Sequence, residues 1–219
     1  PGLLLGTTAS PPMRTLAAIT NQPSDNFYAE TLVKALGARF GSGGTTVRGL
    51  AVVRRELARF GVHPRMVDGS GLSRANRMTP RQVVRLLDRM SGQEIAPSWT
   101  ASLARFGQDG TLSKRLRGTA AARSCRAKTG TIRSVSALSG YCTVRDGGLV
   151  AFSFLANGVS PVPAKKIEDR MVRVTIRHLH RPPIEVIPEL NEHKRLRAFL
   201  HDRLDRQHDS IRPGLDGHA

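Results

Sequence analysis

Two short segments of the sequence contain residue types that can move protons beside a reacting acyl group. Ser24–Asn26 opens a segment with helical periodicity, and Lys128–Gly130 lies in a segment with a period of two. A serine hydroxyl and a lysine amine can pass a proton between a nucleophile and a leaving amine. A glycine on a strand lets a ligand approach the backbone with no Cβ in between. If the two segments act together, Ser24 and Lys128 must meet in one groove, although they lie far apart in the sequence.

The spacing of apolar residues predicts the elements that must position these segments. Helical spacing runs from Ser24–Asn26 to Phe40, and a period of two begins after Gly118. Further helices are predicted at 46–60, from Pro80 onward, at 98–106, 163–180 and 189–206, with strands at 123–129, 134–145 and 149–157. Residues 61–78 have loop composition, and residues 16–19 are predicted as a short strand or turn. Helices followed by antiparallel strands and a closing helix indicate the α+β class, with helices packed on an antiparallel sheet.

Apolar residues recur at helical spacing in the predicted helix 163–180. We expect four of them to face the core: Ile167, Met171, Val174 and Leu179.

The chain carries a net charge of +17, which attracts polyanions such as nucleic acid, anionic lipids or acidic wall polymers. The positive residues are spread along the sequence, which favours a generally arginine-rich composition over a dedicated binding tract. No helix-turn-helix, zinc or aromatic-rich RNA-binding pattern is found, so no nucleic-acid partner is expected. No Cys/His spacing suggests a metal site, no cofactor is expected, and no apolar run is long enough to span a membrane.

The two cysteines leave two readings open. Cys125 and Cys142 fall in neighbouring predicted strands, so a cross-strand disulfide is possible. They can equally be two small buried thiols.

Four ordered sequence blocks resemble one protein family. The blocks are Ser24–Leu32, Asp68–Arg77, Gly110–Thr119 and Arg126–Thr131. They resemble the S-D-N helix, the D-G-S-G-L-S-x-x-N loop, the segment before the K-T-G strand and that strand itself in the D-alanyl-D-alanine carboxypeptidase/endopeptidases of the class C penicillin-binding type. The resemblance covers residues 15–180 and implies a β-lactamase/penicillin-binding transpeptidase-like α+β fold, incomplete at its N-terminus.

The resemblance implies catalytic roles for three residues. Ser24 would relay protons to the leaving nitrogen, and Asn26 would hydrogen-bond the substrate amide and a catalytic lysine. Lys128 would supply a positive field at the reacting centre and help to keep that other lysine neutral. From the residues alone, Ser24 can instead be a helix cap, and Lys128 an ordinary exposed strand residue.

The resemblance also implies a substrate-binding set and a supporting loop. The hydroxyls of Thr129 and Thr131 would hold the substrate carboxylate, the Thr131 N–H would be an oxyanion donor, and Gly130 would allow close approach. The supporting loop contains Asp68, Ser70 and Asn76, whose types also suit simple turns.

The nucleophile motif S-x-x-K of the family is not found in the sequence. Thr31–Lys34 and Thr111–Lys114 have the form T-x-x-K, but both fall inside blocks already matched to other parts of the family. We read the N-terminus as a cut through a larger protein and expect this chain alone to be inactive. Without the strands and helix that normally complete the sheet, we also expect an apolar face to be exposed.

The parent enzyme would be extracytoplasmic, although the sequence carries no signal segment. It would act on peptidoglycan stem peptides and bind β-lactams. Residues 1–181 are expected to form a partial penicillin-binding domain, and residues 182–219 an extension that is helical and then disordered. The alternatives are an inactive wall- or partner-binding remnant and a basic nucleic-acid-binding protein.

Overall fold

The protein is described by a computed structural model that covers residues 6–144 and 147–179. The helices are α1 Met13–Asn21, α2 Asn26–Phe40, α3 Thr46–Arg59, α4 Pro80–Ser91, α5 Ala96–Ser102, α6 Ala120–Ser124 and α7 Pro161–Leu179. The strands are β1 Ala104–Arg105, β2 Cys125–Ile132, β3 Val135–Thr143 and β4 Leu149–Asn157, and a short 3-10 turn spans Gly110–Leu112. The α+β class with helices packed on an antiparallel sheet is confirmed. The predicted helix 189–206 and the predicted extension lie outside the described residues.

The sheet is antiparallel with strand order β1-β2-β3-β4. Strand β1 pairs only with Arg126 and Ala127, at the beginning of β2. Within the part of the chain that the structure describes, the outer edge of β2 from Lys128 to Ile132 is therefore unpaired. An unpaired edge offers backbone groups to which an extended peptide can add.

Both faces of the sheet are covered by helices. On one face, Ala127 and Leu138 are fully buried together with Val172 of α7. On the other face, the Tyr141 hydroxyl accepts a 3.0 Å hydrogen bond from Trp99 Nε1 and donates one of 2.7 Å to the Leu87 carbonyl. The Tyr141 side chain is therefore buried with its hydroxyl group hydrogen-bonded. The two hydrogen bonds connect α4 and α5 to β3.

Helices α2 and α3 pack at very short distance because α3 contains Gly49. A Cβ at this position would lie 1.9 Å from the Val33 carbonyl oxygen of α2. No side chain other than hydrogen fits there without separating the helices. This packing holds the helix that begins at Asn26.

A buried ionic cluster joins α7 to the sheet and to the segment before β2. Arg115 Nη2 lies 3.0 Å from a carboxylate oxygen of Glu168 and 2.8 Å from one of Asp169. Ser136 of β3 donates a 2.7 Å hydrogen bond to the other oxygen of Glu168. All three charged groups are paired, which offsets the cost of their burial, although Arg115 Nη1 has no hydrogen-bond partner among the described residues. Loss of Arg115 alone would leave the carboxylates uncompensated.

The core prediction for α7 is wrong. Ile167 is 60% exposed and Met171 41% exposed, and Val174 is exposed too, whereas Val172 and Glu168 are 0% and 4% exposed. Because Glu168 is charged, the inner face of α7 cannot be recognised from the spacing of apolar residues. The side chain of Leu179 lies outside the described set. Ile167 and Met171 line an apolar groove of about 550 Å³ beside β4, which fits the expected exposed apolar surface.

Two further predictions needed correction. Residues 16–19 belong to helix α1 rather than to a strand or turn, because apolar and polar residues in Met13–Asn21 segregate with helical period. The predicted helix 98–106 ends at Ser102, because Leu103 is extended and Ala104–Arg105 pairs with β2. The predicted strands are each found within a few residues, and strand 149–157 is found at its predicted bounds.

Cys125 and Cys142 form a disulfide, which decides between the two readings of the cysteines. They are directly opposed in the β2–β3 register, with Cα atoms 4.1 Å apart, and they are separated by 17 positions. The disulfide therefore links β2 and β3 at the open end of their hairpin, which carries Lys128. Among residues 6–144 and 147–179, no helix combines the length and the apolar character needed to cross a bilayer.

We predict that the double substitution Cys125→Ala with Cys142→Ala lowers the free energy of unfolding by about 3 kcal/mol, because a loop of this length no longer restricts the unfolded chain. Urea unfolding of the oxidised protein and of the variant measures the difference. A reducing agent should destabilise the native protein and leave the variant unchanged. An equal midpoint for both proteins without reductant would contradict the prediction.

Candidate active site

Ser24 lies on a sharp turn between α1 and α2. Its φ of +64° is in the left-handed region, which is uncommon for residues other than glycine and which recurs at functional sites. The residue that caps α2 is Asp25, whose carboxylate accepts a 2.8 Å hydrogen bond from the Tyr28 N–H. The alternative of Ser24 as a plain helix cap is therefore wrong, and its hydroxyl points elsewhere.

The Ser24 hydroxyl meets the Lys128 amine, as predicted. Lys128 Nζ donates a 2.5 Å hydrogen bond to Ser24 Oγ and a 2.7 Å bond to the Thr129 carbonyl. No ion pair to Lys128 is found among the described residues. Burial lowers the pKa of Lys128 from its ordinary 10.5 to about 8. The pair thus combines a serine hydroxyl with a lysine that can gain or lose a proton near neutral pH.

A second contact fixes the two segments relative to each other. The Thr111 N–H donates a 3.0 Å hydrogen bond to the Gln22 carbonyl, two residues before Ser24. Thr111 Oγ1 also accepts a 2.8 Å bond from Thr129 Oγ1 on β2. Gly110 permits this approach, since its φ is +51° and a Cβ there would lie 2.1 Å from the Gln22 oxygen.

Thr111 is the site residue that sequence reasoning missed. The G-T-L segment belonged to a block of the resemblance, but no role was assigned to its threonine. Thr111 is recognised as part of the site by its contacts with Gln22 and Thr129. Neither hydrophobic periodicity nor a sequence motif predicts these contacts.

Asn26, which the resemblance implies to be catalytic, and the implied substrate-binding residues Gly130 and Thr131 follow Ser24 or Lys128 closely in the sequence. No side-chain hydrogen bond of Asn26 or Thr131 is found among the described residues. Asn26 begins α2 and is exposed, and Thr131 is exposed on the unpaired part of β2. Gly130 lies between Thr129 and Thr131 on the same edge. The described residues leave these groups open toward a ligand.

The predicted supporting loop is held together by Asp68. Its carboxylate accepts 2.7 Å hydrogen bonds from the N–H groups of Gly71 and Ser73 and a 3.0 Å bond from Asn76 Nδ2. Burial raises the pKa of Asp68, but these hydrogen bonds, led by that of Asn76, outweigh burial and lower the pKa below its ordinary value. Asp68 and Asn76 therefore shape the loop, and among the described residues their side chains hydrogen-bond only within it.

Glu30 connects this loop to the helix that begins at Asn26. One Glu30 oxygen accepts backbone hydrogen bonds from Gly69 at 2.7 Å and Ser70 at 3.1 Å. The other oxygen accepts a hydrogen bond from the Thr46 hydroxyl. This bond is the main reason why the pKa of Glu30 is lowered, although burial acts to raise it. These hydrogen bonds attach the loop to α2, and the supporting role that the resemblance implies for Asp68, Ser70 and Asn76 stays a prediction.

The arrangement suits acyl transfer assisted by proton relay. A cationic amine beside a hydroxyl stabilises developing negative charge and can return a proton to a leaving group. No group of His, Cys, Asp and Glu side chains with metal-binding geometry is found among the residues that the structure describes.

Comparison with solved structures defines the class of fold. The chain superposes on penicillin-binding protein 4 (DacB) of Haemophilus influenzae with a TM-score of 0.69 at 26% identity, over 75% of this chain and 40% of that one. A class A β-lactamase from Bacteroides cellulosilyticus shares the fold, with a TM-score of 0.57 at 18% identity, over 75% of this chain and 62% of that one. The protein has the penicillin-binding/β-lactamase-like α+β fold.

Residues 2–178 match the model of the D-Ala-D-Ala carboxypeptidase 3 (S13) family, and the chain belongs to that family. It is 41% identical over 169 residues to the D-alanyl-D-alanine carboxypeptidase of Actinomadura sp. (strain R39), which covers 73% of this chain and 31% of that protein. It is 31% identical to DacB of Haemophilus influenzae, over 73% of this chain and 34% of that protein. The chain spans about a third of the length of these relatives.

We predict that stability rises with pH between about pH 8 and 9.5, because Lys128 binds its proton less tightly in the folded state than in the unfolded chain. The folded pKa of about 8 lies below the ordinary 10.5, so the unfolded state holds more protons in this window. Residual solvent exposure limits the gain to about 1 kcal/mol. Urea unfolding at successive pH values measures it.

Substitution Lys128→Met should abolish most of this rise, whereas Lys166→Met, at an exposed position of α7, should keep it. An identical pH profile in all three proteins would show that the Lys128 amine titrates as it does in water.

Proposed function

We propose that this chain supplies the proton-relay and substrate-binding half of a serine-type D-Ala-D-Ala carboxypeptidase that hydrolyses peptidoglycan stem peptides through an acyl-enzyme. The observation that carries the proposal is the 2.5 Å contact between Lys128 Nζ and Ser24 Oγ, which joins two segments 104 positions apart. Membership of the carboxypeptidase family supports it independently.

In the proposed mechanism, Ser24 is the proton relay. A serine nucleophile attacks the carbonyl of the penultimate D-alanine, and its proton must reach the nitrogen of the departing D-alanine. The Ser24 hydroxyl can accept one proton and donate another in a single step, provided that a neighbouring group fixes its lone pairs. Lys128 donates to Ser24 Oγ and so orients the Ser24 proton toward the leaving nitrogen.

Lys128 also supplies the positive field of the site. Its charge sits in a partly buried position without a carboxylate partner among the described residues, so little cancels its field. Such a cation lowers the energy of the developing oxyanion and keeps a nearby second lysine neutral, which would allow that lysine to act as a base. Asn26 would hydrogen-bond the substrate amide from the start of α2.

The unpaired edge of β2 is proposed to hold the substrate. An extended peptide can add along Lys128–Ile132 through backbone hydrogen bonds. The Thr129 and Thr131 hydroxyls would bind the terminal carboxylate, and the Thr131 N–H would be one oxyanion donor. Thr111 holds the Thr129 hydroxyl at a defined position, which favours a single orientation of the carboxylate.

The nucleophile is proposed to lie on a polypeptide segment other than this sequence, since no S-x-x-K occurs in the 219 residues. A complex of Haemophilus influenzae penicillin-binding protein 4 with a β-lactam supports the same ligand class for the complete enzyme here. Substrates of this kind and a structural disulfide both favour an extracytoplasmic compartment.

The second candidate is a catalytically inactive remnant that binds wall peptides or a partner. The missing S-x-x-K favours it for this chain taken alone. It differs from the first candidate in one respect: a remnant would gain no acylation when a nucleophile segment is supplied.

We predict that the purified chain is not labelled covalently by a fluorescent penicillin, because it offers no activated serine nucleophile. Denaturing gel electrophoresis after incubation, with and without excess unlabelled penicillin, measures the labelling. A fluorescent band that unlabelled penicillin suppresses would contradict this prediction and place the nucleophile within these residues.

We predict that this chain, fused behind a nucleophile segment with the family's S-x-x-K motif, acylates with penicillin, and that Lys128→Met or Ser24→Ala slows acylation by about 10²–10³-fold. Substitution Lys114→Met, outside the site, serves as the matched control and should leave the rate within about twofold. Absence of acylation in a fusion shown to be folded by its thermal melting would favour the inactive remnant.

A further inference from the structure

A polar cavity lies where α5, α6 and the first residues of β2 meet. Its volume is about 220 Å³, and three arginines line it: Arg105 from β1, Arg123 from α6 and Arg126 from β2. We call it the arginine cavity. The hydroxyl-bearing residues Thr100 and Thr143 line it as well.

The fold forces these like charges together. Arg105 and Arg126 are direct partners in the β1–β2 register, and Arg123 precedes the turn from α6 into β2. Like charges directly opposite each other on antiparallel strands are destabilising. An arrangement that costs stability calls for a compensating negative charge.

The described residues supply that charge only in part, through the Asp109 carboxylate, which attracts Arg126 without forming an ion pair with it. None of the three arginines takes part in an ion pair there. Burial is the main cause that lowers the pKa of Arg126, and repulsion by Arg105 lowers this pKa further. Attraction by Asp109 raises the pKa by a smaller amount. The Asp109 carboxylate accepts a 2.6 Å hydrogen bond from the Arg105 backbone N–H. The cavity therefore keeps a concentrated positive potential.

Arg126 is held in place by hydrogen bonds from Nη1, and no hydrogen bond from its other side-chain nitrogens is found among the described residues. Its Nη1 donates to the carbonyls of Ala101 at 3.3 Å and Leu103 at 3.2 Å, which fixes the guanidinium at the end of α5. A guanidinium has five N–H donors in a rigid fork, so donors remain for a ligand. Such preorganisation reduces the entropy lost on binding.

We propose that the arginine cavity binds a phosphate group. Guanidinium forks match the paired oxygens of phosphate in geometry, and three cations around one half-enclosed space match its charge better than that of a single carboxylate. Arg126 precedes Lys128 by two residues on the same face of β2, about 7 Å along the strand, so a bound phosphate would lie beside the proposed catalytic groove. The proposal does not depend on the proposed function.

The direct test is calorimetric titration of the chain with inorganic phosphate at constant ionic strength. The double variant Arg105→Gln with Arg123→Gln should bind phosphate at least tenfold more weakly than the native chain. Arg126 is left intact because its hydrogen bonds support α5. The matched control is Arg48→Gln with Arg89→Gln, which removes the same charge from exposed positions of α3 and α4 and should change binding by less than twofold. Equal weakening in both variants, or no saturable binding to the native chain, would overturn the proposal.

A second measurement needs no variant. Phenylglyoxal modifies accessible arginines, and peptide mapping by mass spectrometry locates the adducts. Phosphate should protect Arg105 and Arg123 in the native chain and leave Arg48 and Arg89 unprotected. Uniform protection, or none, would show that phosphate only screens the overall charge and would overturn the proposal.

The source of the phosphate is distinguished with two further probes. Poly(glycerol phosphate) stands for an anionic wall polymer, and vesicles containing phosphatidylglycerol stand for a lipid surface. Either source supports the proposal if the Arg105/Arg123 variant loses binding relative to the Arg48/Arg89 control. Binding of both probes with equal strength by both variants would assign the interaction to the net charge of +17 and contradict the proposal.

Discussion

The site depends on one partly buried cation whose acceptors are a hydroxyl and a backbone carbonyl. Lys128 donates to Ser24 and to the Thr129 carbonyl, and no carboxylate among the described residues neutralises it. Burial without a counterion lowers the pKa of Lys128 to about 8. Burial of the charged amine destabilises the folded protein, but the lowered pKa makes proton transfer easier. The left-handed backbone of Ser24 adds a second local cost at the same place. Both features make sense if the surrounding structure holds them for chemistry.

The rest of the fold holds that contact in three ways. The Cys125–Cys142 disulfide and the β3 pairing fix the strand that carries Lys128. The Gly110–Thr111 turn joins this strand to the backbone just before Ser24, through the Gln22 carbonyl. The Arg115 ionic cluster anchors the segment leading into β2 against α7. Each of these contacts joins parts of the chain distant in sequence, so the geometry of the site is a property of the whole fold.

The sequence predicted much of this fold and the pair at its centre. The strand Leu149–Asn157 was predicted at its bounds, because a short, mostly apolar run between glycine-containing turn segments is typical of a strand that is covered on both faces. It failed for α7, where Glu168 is buried together with Ala164, Val172 and Ile176, and an apolar stripe with Ile167 faces out. In the part of the chain that the structure describes, Arg115 and Ser136 are the partners of the Glu168 carboxylate, and such a partnership cannot be predicted from local sequence. Thr111 was missed for the same reason. Roles for Asn26 and Thr131 remain predictions.

The central claim is that the Lys128 amine and the Ser24 hydroxyl share one groove in solution. Its most direct test is the pKa of the Lys128 amine, followed by NMR of its Cε and Nζ nuclei in the native chain and in Ser24→Ala. The account predicts a pKa of about 8 in the native chain. It predicts a lower pKa in the variant, because the hydroxyl no longer accepts a hydrogen bond from the charged amine. A pKa near 10.5 that is the same in both proteins would contradict the account.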